Sequence, residues 1–401
     1  MQSLPILVRA SSTEPQQKIN DSSERRMMAE QMRVAVIGSS SAGGWGHDID
    51  QLFIDLPGVQ VVAAADDTED GLAATLKRHE LGTSAGFLDW QQMLAAVKAD
   101  LVAICSRHID RHAEMALAAT AAGARGIFME KPFVRTLAEA DAVVAACTKT
   151  NTKLGLALVN RHCPTIAAVS VLIAEGKIGQ LLELRARGKE DHRGGGEDLW
   201  VLGPHVLDLM THFGGSPQWC AATVTSKGQP IQAGDLAPGP EGLPPIAGDA
   251  ITASFGLADS CTGYFASVRE AGLKQPNFGL TLLGTKGEIH IRPDHVPQAY
   301  FRAAPAWRMN RPYPWTPIGP EGLAPDLSEE GVDRGAERAS WGQRAVADLL
   351  DAIESDREPE TGMFAGLTLT EMNAAIYAAS LTGCRVEWPL DRARTAAALA
   401  G

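Results

Sequence analysis

The run Val34-Ala35-Val36-Ile37-Gly38-Ser39-Ser40-Ser41-Ala42-Gly43 decides the fold. Its apolar, mostly β-branched start reads as a strand, and the glycine that closes it permits a tight turn. Gly38-x-Ser40-x-x-Gly43 is the phosphate-cradling G-x-G-x-x-G pattern with serine in the middle. Serine is the smallest polar substitute there and brings a hydroxyl that can donate to a phosphate. Gly43 permits close helix–strand packing. A helix opening at this point would aim its N-terminal amides and positive dipole end at phosphates. Gly38, Ser40, Ser41 and Gly43 are therefore candidate dinucleotide contacts. Asp66 ends the next apolar run, Val59–Ala65, where an acid accepts from adenosine ribose hydroxyls. The pair Asp66-Asp67, with no arginine following, would repel a 2′-phosphate, so NAD is expected rather than NADP.

Working outward, apolar strands at Arg33–Ile37, Val59–Ala65, Leu101–Cys105, Gly126–Met129 and Lys153–Leu158 alternate with helical patterns. The latter cover Ile49–Leu56, Glu69–His79, Trp90–Val97, Arg111–Ala122 and Thr136–Thr148. This is the doubly wound α/β pattern, with a parallel sheet covered on both faces and a crevice at the carboxyl ends of its strands. After Asn160 the style changes. Helical stretches at Pro164–Glu175 and Pro204–Phe213 flank a glycine-rich loop, and successive strands follow at Trp219–Thr225, Ala250–Phe255, Thr262–Ser267, Gly279–Leu283 and Glu288–Ile291. Strands without intervening helices predict an α+β domain on an antiparallel sheet. Residues 303–339 read as a long surface segment, and helices return at Ser340–Ser355 and Gly366–Leu381. The organisation expected is a tail over 1–31, a dinucleotide domain over 32–160, a second domain over 161–390 and a short tail over 391–401. The polar first 31 residues carry no signal-peptide pattern, and Met32 is a candidate start.

The net charge of −12 over 401 residues argues against a nucleic-acid or anionic-membrane partner. The six cysteines stand apart, without a CxxC pair, and read as buried thiols in a reducing, cytoplasmic setting. No run is long and apolar enough to span a membrane. His108 and His112 are spaced i, i+4, but no further ligand completes a set, so no metal is expected.

Glu130-Lys131-Pro132 follows another apolar strand and makes the whole recognisable. The chain resembles the glucose–fructose oxidoreductase, inositol dehydrogenase and rhizopine-catabolism (Gfo/Idh/MocA) family. The likeness rests on that tripeptide, on Gly44-Trp45-Gly46-His47, and on Ser106-Arg107-His108 with His112 just beyond. It rests also on Asn160-Arg161, Gly203-Pro204-His205-x-x-Asp208 and Gly284-Thr285-Lys286-Gly287, all in order from about Arg33 to Leu390. The resemblance implies a Rossmann domain followed by a domain on a large open sheet that often forms dimers or tetramers. It implies a sugar, sugar derivative or cyclitol as substrate. Trp45, Ser106, Arg107, His108, His112, Glu130, Lys131 and Arg161 would then line the cofactor. Lys131 and His205 would be the acid–base pair: a hydride leaving an alcohol carbon requires loss of the hydroxyl proton, which suits a histidine, while a lysine polarises the oxygen.

One departure matters. The family's DxxxH aspartate falls on Val201, which can neither orient nor ionise a histidine. Asp208, three residues beyond His205, and Asp198 in the preceding loop are the candidate substitutes. The loop Glu190-Asp191-His192-Arg193 is either a polyol pocket or a solvated turn, and Trp200 either stacks on a sugar or packs in a core. Three activities stay open at this point. They are net NAD-dependent oxidation or reduction, a redox-neutral NAD-dependent glycosidase or lyase, and a non-catalytic dinucleotide sensor.

Overall fold

The computed structural model describes residues 31–258, 261–272, 278–305, 312–328 and 330–400; the first thirty residues of the predicted tail lie outside them. The strands of the first domain are β1 (Met32–Ile37), β2 (Val59–Ala65), β3 (Gly86–Phe87), β4 (Leu101–Ile104), β5 (Gly126–Met129) and β6 (Lys153–Leu156). They form one sheet in the order β3-β2-β1-β4-β5-β6, parallel throughout. Val36 of β1 pairs with Ala64 on one side and Ala103 on the other, so the order reverses between β1 and β4. A doubly wound sheet opens its ligand crevice at that point. The buried strand residues Val34, Val36, Ile37, Val102, Ile104 and Ile127 are sealed by helices on both faces. The helix Leu137–Thr150 opens on a capping box between Thr136 and Glu139, which satisfies two otherwise orphaned amides.

One expected helix does not form. After β1 the chain runs through Gly43 and Gly44, both with positive φ, into a 3-10 segment, Gly46–Phe53. His47 and Asp48 stand there at φ 49° and 54°, in the left-handed region that non-glycine residues rarely adopt. Two consecutive left-handed residues break the α-helical hydrogen-bond ladder, so no α-helix N-terminus faces the crevice from this side.

The second domain is built on a ten-strand path with one short strand attached to its side. Its centre is Leu181–Arg187, which pairs parallel with Thr262–Val268 and antiparallel with Gly279–Gly284. The remaining pairings are antiparallel. Gly284-Thr285-Lys286-Gly287 is the predicted turn, with Gly284 N donating to Gly287 O at 2.9 Å. Several elements differ from expectation. The glycine-rich turn leads directly into an unexpected short helix, Gly196–Val201, and the supposed surface segment contains the edge strands Thr316–Gly319 and Gly322–Leu323. A four-residue strand holding a proline and a two-residue strand carry little periodic signal. The expected C-terminal tail is the helix Arg392–Ala400.

Two long helices then return to the first domain. Arg334–Ser355 packs against β5, β6 and the 3-10 segment, and Met363–Thr382 packs against β6 and the helix Leu137–Thr150. Between them, Leu156 N donates to Thr361 O at 2.8 Å and Thr361 Oγ1 donates to Leu156 O at 3.1 Å.

Candidate functional site

The turn after β1 and the acid after β2 meet as expected. Ser40 donates to Asp66 through its hydroxyl at 2.7 Å and its amide at 3.3 Å, and Thr68 donates twice to the same carboxylate at 3.0 Å. Ser41 and Ser39 bind Asp67 instead; burial raises that carboxyl's pKa, but the two serine hydroxyls outweigh it and leave it lowered. Trp45 adds a contact that sequence reading missed. Its indole Nε1 donates to Asp66 Oδ2 at 2.8 Å. A Cβ placed on Gly38 would lie 2.1 Å from the ring, so the indole sits directly over that glycine. The indole thus takes up hydrogen-bonding capacity of the Asp66 carboxylate on the side of Gly38.

At the end of β5, Glu130 and Lys131 are both buried, with side chains 2% and 5% exposed. Lys131 Nζ donates to the backbone oxygen of Val201 at 2.9 Å. The position that lacks the family's acid therefore still holds the lysine, through an atom that every residue type carries. Burial lowers the Lys131 pKa from its ordinary value, against the opposing charge of Glu130. Burial pushes Glu130 up, but His47 and Lys131 together outweigh that and hold its carboxyl low. His47 Nδ1 stands 2.7 Å from Glu130 Oε1. A crevice of about 560 Å³ opens beside them, lined by His47, Asp48, Gln51, Glu130, Arg338 and Gln343 among others.

His205, on the helix Gly203–Gly214, is buried, and its Nδ1 finds no hydrogen-bond partner among the described residues. Burial lowers its pKa to about 3, so the ring is neutral at physiological pH; Asp294 opposes that shift and Lys131 adds to it. The acid acting on His205 is thus neither of the two expected. Asp294 is held by Asn160, whose Oδ1 accepts from Asp294 N at 2.9 Å, and by Arg338 Nη1 at 3.2 Å. Asp208 instead pairs with Arg161 at 3.3 Å, and burial raises its pKa to about 6. Asp198 is fully buried and accepts from Lys189 N, Glu190 N and Ser267 Oγ at 3.2, 3.1 and 2.6 Å. Those bonds anchor a loop to a strand of the large sheet.

The other expected residues are distributed as follows. The two ring nitrogens of His112 each stand 2.9 Å from a backbone carbonyl, Pro132 O and Ser106 O, tying the turns after β4 and β5 together. Arg107 Nε donates to Glu241 at 2.9 Å, linking the domains, and His108 lies against Gly43. Glu190 is turned inward and accepts from Val268 N at 3.0 Å, while Arg193 pairs with Asp191 at 2.6 Å. His192 is exposed. Trp200 is buried with Ile109, Val201 and Leu243 in a small apolar cluster. The packing alternative therefore describes Trp200, whereas Glu190 is buried and hydrogen-bonded rather than solvated. Among the described residues no group of three or more His, Cys, Asp or Glu forms a metal-holding cluster, and no helix is long and apolar enough to cross a membrane.

A parallel doubly wound sheet with a glycine turn after β1 and an acid after β2 defines a dinucleotide-binding domain. Residues 32–158 match the Gfo/Idh/MocA family model described as "Oxidoreductase family, NAD-binding Rossmann fold", which marks this segment as an NAD-binding Rossmann domain. Among curated proteins it is similar to D-apiose dehydrogenase of Paraburkholderia graminis, 28% identical over 193 residues, which are 46% of this chain and 50% of that protein. It is also similar to dehydrogenase aclE of Aspergillus oryzae, 24% identical over 165 residues, 38% of this chain and 44% of that one. The matches thus span about half the length of these curated relatives. Levoglucosan dehydrogenase, solved with NADH and levoglucosan, shares the fold with a TM-score of 0.69 at 21% identity, covering 90% of this chain and all of that one.

Proposed function

We propose that the protein is an NAD-dependent dehydrogenase acting on a hydroxyl of a sugar, sugar derivative or cyclitol. The observation that carries this reading is the buried Lys131 amine at the carboxyl end of β5, within electrostatic reach of the neutral, buried His205. Bound NAD supplies the hydride acceptor. His205, neutral and without a partner on Nδ1, is suited to take the hydroxyl proton. Lys131, fixed by Val201 O, is suited to hold the substrate oxygen as charge develops on it. Asp294 favours the imidazolium that His205 becomes, the service the family's aspartate would render from position 201. The relatives' sugar names, D-apiose and levoglucosan, support the substrate class.

The test is a panel of sugars, anhydrosugars and cyclitols incubated with the protein and NAD, following reduced nicotinamide beside product chromatography. Net reduction of NAD with a matching oxidised product is the expected result. Product formation at constant NADH would replace the reading with redox-neutral cleavage, and NAD binding without turnover would leave a sensor. Because His205 titrates at about 3, the acid limb it contributes to kcat/KM belongs well below the ordinary histidine range.

Binding NAD in this reading exchanges one donor on Asp66 for another: the ribose hydroxyl replaces the Trp45 indole. Titration with NAD should change tryptophan emission as the Trp45 side chain leaves Gly38. Trp45→Phe, which cannot donate to Asp66, should lose that change and bind NAD more tightly, by about threefold to tenfold if one neutral hydrogen bond no longer competes. An unchanged emission spectrum at saturating NAD would refute the exchange. The expected dimer or tetramer through the open face of the large sheet is tested by sedimentation.

A further inference from the structure

Lys131 is buried, so any proton that its ammonium exchanges with water has to cross the protein. We propose that Glu130 and His47 form the route by which protons pass between Lys131 and solvent. The geometry is a graded chain. Lys131 Nζ lies 3.8 Å from Glu130 Oε1, and the same oxygen lies 2.7 Å from His47 Nδ1. Side-chain exposure rises along it from 5% at Lys131 and 2% at Glu130 to 39% at His47. His47 also lines the 560 Å³ crevice, so its outer nitrogen has water to exchange with.

The chemistry of each group suits its place. Lys131 carries three N–H bonds, of which Val201 O accepts one. Glu130 is held in its charged, accepting form by His47 and Lys131. The gap of 3.8 Å is closed by one bridging water or by a small swing of the lysine stem. A proton leaving the ammonium forms an O–H bond on Glu130 and breaks an N–H bond on Lys131. It then passes to Nδ1 of the Nε2–H tautomer of His47 as Nε2 gives up its own proton to water, and tautomer exchange through water resets the ring. The reverse sequence recharges the amine. No net oxidation or reduction occurs in either direction. Arg338, the guanidinium lining the same crevice, keeps its proton and cannot serve. Asp48 also lines it, but His47 is the lining side chain hydrogen-bonded to Glu130.

The backbone supports a dedicated position for this imidazole. His47 is held at φ 49° with Asp48 at φ 54°, a costly local conformation that turns the ring toward Glu130. Glu130 and His47 act through Lys131, so neither is a catalytic residue in the strict sense.

The test needs neither cofactor nor substrate, so its failure is separable from failure of the dehydrogenase reading. Full-length protein labelled with ¹⁵N-lysine would report the exchange of Lys131 ammonium protons with water, assigned with Lys131→Arg. His47→Asn tolerates the left-handed backbone and can still donate to Glu130, yet its amide cannot take up and release a relayed proton. It should slow the exchange at least about tenfold. His47→Gly leaves space, and added imidazole should restore the wild-type rate in proportion to its concentration. Wild-type exchange in His47→Asn, or slowed exchange in His47→Gly that imidazole leaves untouched, would overturn the relay and leave His47 a structural partner of Glu130.

Discussion

Replacing Lys131 by methionine is expected to lower kcat/KM by about three orders of magnitude, with NAD affinity changed by no more than about threefold. Methionine keeps the length and apolar stem of the lysine, so the packing around β5 and the helix Gly196–Val201 is retained. What disappears is the charge that would hold the substrate oxygen, together with the bond to Val201 O. That bond is made before substrate arrives, so its loss affects folding only slightly, whereas loss of the charge acts on the transition state. The measurement is steady-state kinetics on the substrate found in the panel, with NAD affinity taken by calorimetry. A variant that retains more than about a tenth of wild-type kcat/KM would remove Lys131 from the mechanism.

The second large effect is on stability. Asp198→Ala strips three donors of their acceptor in a site with no access to water: the amides of Lys189 and Glu190 and the hydroxyl of Ser267. Each buried donor left unsatisfied costs about 1–3 kcal/mol, so the variant should lose at least about 3 kcal/mol. The loss is read as a lower urea midpoint at constant m. Asp198→Asn retains one oxygen acceptor and should recover part of it. Because this carboxylate faces a loop and a strand of the second domain, any Asp198→Ala protein that still folds should turn over its substrate at close to the wild-type rate. A large drop in kcat in the folded variant, with stability unchanged, would return Asp198 to the chemistry.

Much of this was legible in the chain. The continuous apolar runs at β1, β2, β5 and β6 announce strands covered on both faces, and the structure places them within two residues of the expected bounds. Ser40 and Asp66, read separately as cofactor contacts, are hydrogen-bonded to each other. The site was harder to read wherever function moved from a side chain to the backbone or to a distant loop. Val201 looked like a loss because an aspartate was missing, but its carbonyl oxygen holds Lys131 whatever the side chain. Asp294 and Arg338 reach His205 from a turn and a helix far along the chain, and no local pattern joins them to it. Asp198 lies near His205 in sequence yet points into hydrogen bonds of its own, a direction that spacing alone does not encode. His47 stood within a quoted motif, but its partner Glu130 is on another strand. Trp45 stands in the motif that carries the resemblance, whereas its bond to Asp66 depends on how the two glycines before it turn.

The helices Arg334–Ser355 and Met363–Thr382 finish covering a sheet whose strands are all encoded before residue 157. The chain is thus not two modules that could be inherited or traded separately. A gene fusion that joined the first 160 residues to a foreign partner would deliver β5 and β6 with an apolar flank open to water, and such a flank invites aggregation. Recombination among relatives should therefore succeed when the beginning and the end of the gene travel together and the central sheet is exchanged between them.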